Sequence, residues 1–162
     1  MSRCYRVVVP FMLLALMLVM LPLPEWIQVF RPDWLTLFLI YWVMAIPERL
    51  GVVFAWIFGL LLDVTQGAIL GQHAIALVFV AFFVQLQYQR IRMFSLLQQA
   101  LVIFALLMFK QLIVLWVSGI VGQAPEDIAS YFIPSAVGAI IWPWLFVLLR
   151  DARRRFTLSK RF

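Results

Sequence analysis

The sequence predicts an all-α integral membrane protein, a single six-helix transmembrane bundle, and three observations lead there. Hydrophobic residues make up 66% of the 162 residues and charged residues only 12%, against roughly 45–50% and 25% in soluble domains. Mean hydropathy is +1.05, and a water-soluble domain of this length buries only about 70% of its unfolded surface, too little to hide so many apolar side chains. The apolar residues fall into stretches approaching the roughly 20 residues that carry a helix across a bilayer core, and the cations gather at alternate ends of those stretches. Disorder requires low hydrophobicity and high charge, the opposite of this composition.

Taken in order, the first span covers residues 5–22. Arg3 and Arg6 precede an apolar run over 7–21, as in a signal peptide. No small-residue cleavage site follows; Pro22-Leu23-Pro24 does, and the segment reads as an uncleaved anchor. The apolar stretch 34–62 is interrupted by Pro47-Glu48-Arg49. A proline removes a backbone donor and breaks the helical ladder, so this stretch is two spans, 33–46 and 50–65. Each core arm is roughly 20 Å long if helical. Such arms are extended by flanking residues, sit inside a bundle, or form a re-entrant hairpin shielded by protein. The fourth span is 70–87, the fifth 95–118 with Lys110 inside it, and the sixth 131–150 with Pro143 inside it. The connectors are 64–69, 87–94 and 118–130, and a basic tail occupies 151–162.

Charge sets the orientation. Cations near span ends stay in the cytoplasm. With the N-terminus inside and six crossings, all thirteen cations except Arg31 and Lys110 lie on the cytoplasmic side, and both termini are cytoplasmic. Reading 34–62 as one crossing would export the arginine cluster Arg153-Arg154-Arg155. That cluster, with Lys160 and Arg161, reads as a tail facing lipid headgroups rather than nucleic acid, since cations just after a span interact with anionic lipid.

The chain offers little for catalysis or metal binding. Cys4 is the one cysteine and His73 the one histidine, so CxxC, HExxH and other multi-ligand sites are absent. No phosphate-cradling glycine loop is present. Intramembrane proteolysis requires a Ser–His pair, two aspartates or a zinc motif. No catalytic residue, cofactor or metal is expected, and His73 reads as a packed or interfacial side chain.

Costly residues carry more information. Asp63 closes the third span, where a carboxylate meets the negative end of its own helix dipole, so it needs a partner, a proton or water. Gly59, Asp63, Gly67 and Gly71 recur at every fourth position. On a continuous helix they form one ridge on which glycine admits a close backbone; alternatively Gly67 is a helix C-cap before a tight turn. The motif serves either an ion or substrate site or a packing seam. Lys110 lies in the outer half of its span, at the depth of Asp63, and an intramembrane cation is costly; we expect the two to pair. In Arg31-Pro32-Asp33-Trp34, Pro32 stiffens the approach, Asp33 caps a helix and Trp34 sits at the interface. Trp142-Pro143-Trp144 places a proline bend between two indoles, for anchoring or for docking a partner.

In this order and spacing, Phe30-Arg31-Pro32-Asp33-Trp34, Tyr41-Trp42 with Pro47, Gly59 through Asp63 to Gly67 and Gly71, and Trp142-Pro143-Trp144 leading to Leu148-Leu149-Arg150 resemble the MreD family of rod shape-determining proteins in its Gram-negative form. The likeness spans essentially the whole chain; Lys110 falls outside it. It implies a non-enzymatic component of the inner membrane and of the cell-elongation complex, the elongasome. Its implied partners are MreC, the MreB filament, RodA and a class B penicillin-binding protein, and its implied role is to direct lateral peptidoglycan synthesis. The family's fold is thought similar to the substrate-binding subunits of vitamin importers. The alternative is a small-solute or vitamin-binding carrier, which requires several polar groups converging at mid-membrane; Asp63, Lys110, Gln85 and Gln111 are the available set.

Overall fold

In the computed structural model, which describes residues 2–28, 30–67, 69–122 and 127–158, seven helices succeed one another. They are α1 (Ser2–Met20), α2 (Glu25–Gln28), α3 (Trp34–Ala45), α4 (Val52–Gln66), α5 (Gln72–Met93), α6 (Leu96–Val121) and α7 (Ile128–Leu158). No strand occurs among the described residues. Glu126, Lys160 and Arg161, assigned above to the outer loop and the tail, lie outside them, as do the side chains of Arg3 and Cys4.

Three helices are long and apolar enough to cross a membrane: α5, α6 and the Ala129–Phe156 portion of α7. Tyr5–Met20 of α1, together with α3 and α4, forms a set of shorter apolar helices. The outward faces carry large apolar side chains, among them Leu97, Trp116, Ile140 and Trp144. A soluble monomer rarely exposes contiguous apolar patches on this scale; the chain is a membrane protein whose outer surface suits lipid.

The centre is α3. Ten of its twelve residues are buried, Leu35 through Met44 without a gap. A helix that is apolar on all sides belongs in an interior, and α3 packs chiefly on α1, α5 and α7. The two arms of the 34–62 stretch therefore separate after Pro47: α4 packs mainly on α5 and also on α1. Of the three arrangements open to such short arms, α3 adopts the one inside a bundle. The non-helical backbone between the arms is satisfied by side chains of other helices, as backbone shielded from water requires. Gln85 donates to the carbonyls of Pro47 (3.0 Å) and Leu50 (3.4 Å), and the Tyr5 hydroxyl donates to that of Arg49 (3.2 Å). Arg92 donates to the terminal carbonyls of α3 at Met44 and Ala45.

Two boundaries differ from the sequence reading. The expected connector 87–94 is mostly helix, because α5 continues to Met93. Its polar residues are good helix formers, and Arg90 and Arg92 in the last turn complement the helix dipole. Only Phe94 and Ser95 separate it from α6, which begins with a capping box between Ser95 and Gln98. The basic tail likewise begins as helix, since α7 runs unbroken through Pro134 and Pro143 to Leu158. At its start, Asp127 accepts from the backbone N–H groups of Ala129 and Ser130, and the Ser130 hydroxyl holds its carboxyl below the usual range.

The α4–α5 seam rests on Gly59. A Cβ there would lie 2.4 Å from Ala74 Cα, inside the neighbouring backbone. Gly59→Val is expected to lower stability in detergent by about 1–3 kcal/mol, the usual cost of overpacking. Gly119→Ala, whose added methyl meets nothing within 4 Å inside α6, should hold or slightly raise the unfolding midpoint, since alanine is the better helix former. Equal midpoints for both variants would contradict the close approach.

Candidate functional site

The costly residues collect at one end of the bundle, opposite the arginine-rich end. Asp63 is fully buried at the last turn of α4. Gly67 then adopts a left-handed conformation (φ 66°) and ends the helix, and Gly71 (φ 99°) starts α5. The four residues at every fourth position are thus a helical hairpin: Gly59 on the seam, Asp63 at its tip, and two glycines at the turn that only they adopt without strain. The continuous ridge is not formed.

This hairpin answers the question that Asp63 poses. Gly71, at the N-cap position just before α5, has no side chain with which to cap it. Asp63 supplies the cap from the preceding helix. Its carboxylate accepts from the backbone N–H of Gly71 (2.9 Å), His73 (2.9 Å) and Ala74 (3.4 Å). These are orphan donors of a helix N-terminus, where negative charge is favoured. The positive end of α5 therefore offsets the negative end of α4. His73 Nδ1 lies 2.8 Å from the same carboxylate oxygen. The sequence suggests only a packed or interfacial role for His73; its position ten residues beyond Asp63, across a turn with two glycines, is the signal that points to this contact.

Lys110 does not pair with Asp63. It forms an ion pair with Asp33. Asp33 caps α3, accepting from the Thr36 backbone N–H (3.5 Å) and hydroxyl (2.8 Å). The correction has a physical basis. Asp63 already has three backbone donors and an imidazole, whereas a cap at Asp33 leaves acceptor capacity that a buried ammonium, without water, needs. The other members of this band also bond within the chain. Gln72 donates to the Val114 carbonyl (3.1 Å) and the Ser118 hydroxyl, and the Ser135 hydroxyl donates to Gln111 (2.6 Å). Arg31 donates to the Val19 carbonyl at the end of α1, Pro32 beside it is buried, and Trp34 packs at the edge of the core. Helices α1, α3, α4, α5, α6 and α7 each contribute to this band.

The Trp142-Pro143-Trp144 segment divides its indoles. Trp142 is fully buried and its Nε1 donates to Gln99 (3.3 Å), whereas Trp144 is 84% exposed on the lipid-facing side. Only the second is placed to anchor or to dock. Among the described residues no group of three or more His, Cys, Asp or Glu side chains is placed to hold a metal.

The comparisons with known proteins cover nearly the whole chain. The family profile of rod shape-determining protein MreD matches residues 1–152. The chain belongs to the MreD family. The rod shape-determining protein MreD of Haemophilus influenzae is 30% identical to it over 155 residues, 93% of each chain. No solved structure matches. Membership supports a role in cell shape, and MreD is a shape-determining family rather than a known enzyme family. In this MreD-family chain the polar band is thus an internal fastening of the bundle.

Breaking one half of a buried ion pair typically costs about 3–5 kcal/mol. Lys110→Met and Asp33→Asn are each expected to lower unfolding free energy on that scale, and the double variant to lose clearly less than their sum. The cycle of Lys110 with Asp63 should instead be additive within about 0.5 kcal/mol. Coupling in the second cycle and none in the first would restore the pairing expected from sequence.

Proposed function

We propose that this chain is a non-enzymatic adaptor of the cell-elongation complex in the inner membrane, which binds an MreC-like protein and helps direct lateral peptidoglycan synthesis. The observation that carries this reading is its membership of the MreD family over nearly its full length. RodA, a class B penicillin-binding protein and MreB are the further partners of such a complex. In this reading α1, α3, α4, α5, α6 and α7 make six crossings, with both termini in the cytoplasm. The clustering of Arg49, Arg90, Arg92 and Arg150 at one end of the bundle supports that orientation.

The carrier reading has weaker support. A carrier presents polar groups to a solute, and the four available here are engaged within the chain. Asp63 holds the α5 amides, Lys110 holds Asp33, Gln85 holds the 47–50 carbonyls and Gln111 accepts from Ser135. Substrate binding would first have to break those contacts.

Purification from detergent with a tagged MreC-like partner tests the proposal. Stoichiometric retention is expected, and depletion should turn rod-shaped cells round. Loss of solute uptake with normal rods and no co-purification would favour the carrier instead. A C-terminal alkaline phosphatase fusion is expected to be inactive; an active one would overturn the orientation.

A further inference from the structure

The arginine-rich end contains a feature that the fastening of the bundle does not use. An open cavity of about 430 Å³ lies where the ends of α3, α5 and α7 meet. Phe146, Arg150 and Arg153 follow one another at intervals of four and three residues, so they share one face of α7. Tyr41 and Met44 present one face of α3, and Arg92 enters from the last turn of α5. Three guanidinium groups therefore surround one space, and no carboxylate lines it among the described residues.

Like charges drawn together repel unless an anion sits among them. Arg92 is partly satisfied by the carbonyls of Met44 and Ala45. Arg150 has a long ion pair with the half-exposed Asp151 (3.9 Å), while its buried Nε makes no hydrogen bond among the described residues. Glu48 lines a neighbouring cavity on the other side of Arg92. Guanidinium groups match phosphate oxygens bidentately. The cavity also has an apolar wall, Met44 and Phe146.

The geometry points to a binding site for the phosphate of an anionic phospholipid, held by Arg92, Arg150 and Arg153, with the glycerol and upper acyl chain against Met44 and Phe146. Two observations favour a lipid over an acidic peptide: the apolar wall and the position at the end of the apolar part of α7. The site requires only that the chain sits in a bilayer; it does not depend on binding MreC, so either proposal survives failure of the other. It would tie α3, α5 and α7 together at the end opposite the Asp63 hairpin.

The test is native mass spectrometry of the full chain in detergent, titrated with phosphatidylglycerol or phosphatidylcholine of identical acyl chains. The wild type is expected to retain phosphatidylglycerol at concentrations about ten-fold lower. Arg150→Gln with Arg153→Gln should abolish that preference, and Arg155→Gln, exposed and outside the cavity, should keep it. If the double variant does not elute as a monodisperse species, Arg153→Gln alone carries the test, with about a three-fold loss. Inorganic phosphate at millimolar concentration should displace the lipid only weakly. Equal retention of both lipids, or equal loss in Arg155→Gln, would overturn the site. So would full displacement by inorganic phosphate, or binding of an oligoglutamate peptide in place of the lipid.

Discussion

A buried carboxylate at the tip of a helical hairpin sets the terms for the rest of this molecule. Asp63 has no exposure to water, so its oxygens find their partners at the N-terminus of α5 and at His73. That arrangement requires α4 and α5 to run close together, which the absence of a side chain at Gly59 permits. It also requires the chain to reverse within a few residues, which the left-handed glycines at 67 and 71 provide. Seam, turn and cap thus meet in one hairpin. The hairpin also fixes the start of α5, from which Gln72 reaches α6.

The same logic extends through the bundle. Where water is scarce, polar groups and non-helical backbone find partners inside the protein. Asp33 and Lys110 join α3 to α6, Ser135 and Gln111 join α7 to α6, and Gln85, Tyr5 and Arg92 cover the break between α3 and α4. The interior is thereby committed to internal contacts and the exterior is left apolar. This arrangement is compatible with the adaptor role proposed above.

Much of the fold was legible because its signals are local. Pro47 marked the division between α3 and α4, and the position of Asp33 before an apolar run marked a cap. Gly67 was recognised as a possible helix stop. The end of α5 was hidden because residues 87–94 resemble a polar connector, although Gln87 through Arg92 are equally good helix formers. The partner of Lys110 was hidden for a different reason. Asp33 and Asp63 lie at comparable depth, and sequence separation does not say which of two carboxylates a lysine meets. The choice depends on which acceptor is already occupied, and that becomes visible only once the α5 amides are seen on Asp63. The three arginines around one cavity were likewise legible only in part: Arg150 and Arg153 share a face by spacing, but Arg92 joins them through the packing of α5 on α3.

Amide hydrogen exchange of the full chain in lipid nanodiscs, read at Gly71, His73 and Ala74, tests the central role of Asp63 most directly. These donors open a helix and have no intrahelical partner, so slow exchange there depends on the carboxylate. The account predicts protection in the wild type and its loss at those amides in Asp63→Ala, with α6 and α7 little changed. Exchange at those amides that is fast in the wild type, or that stays slow after the substitution, would contradict it.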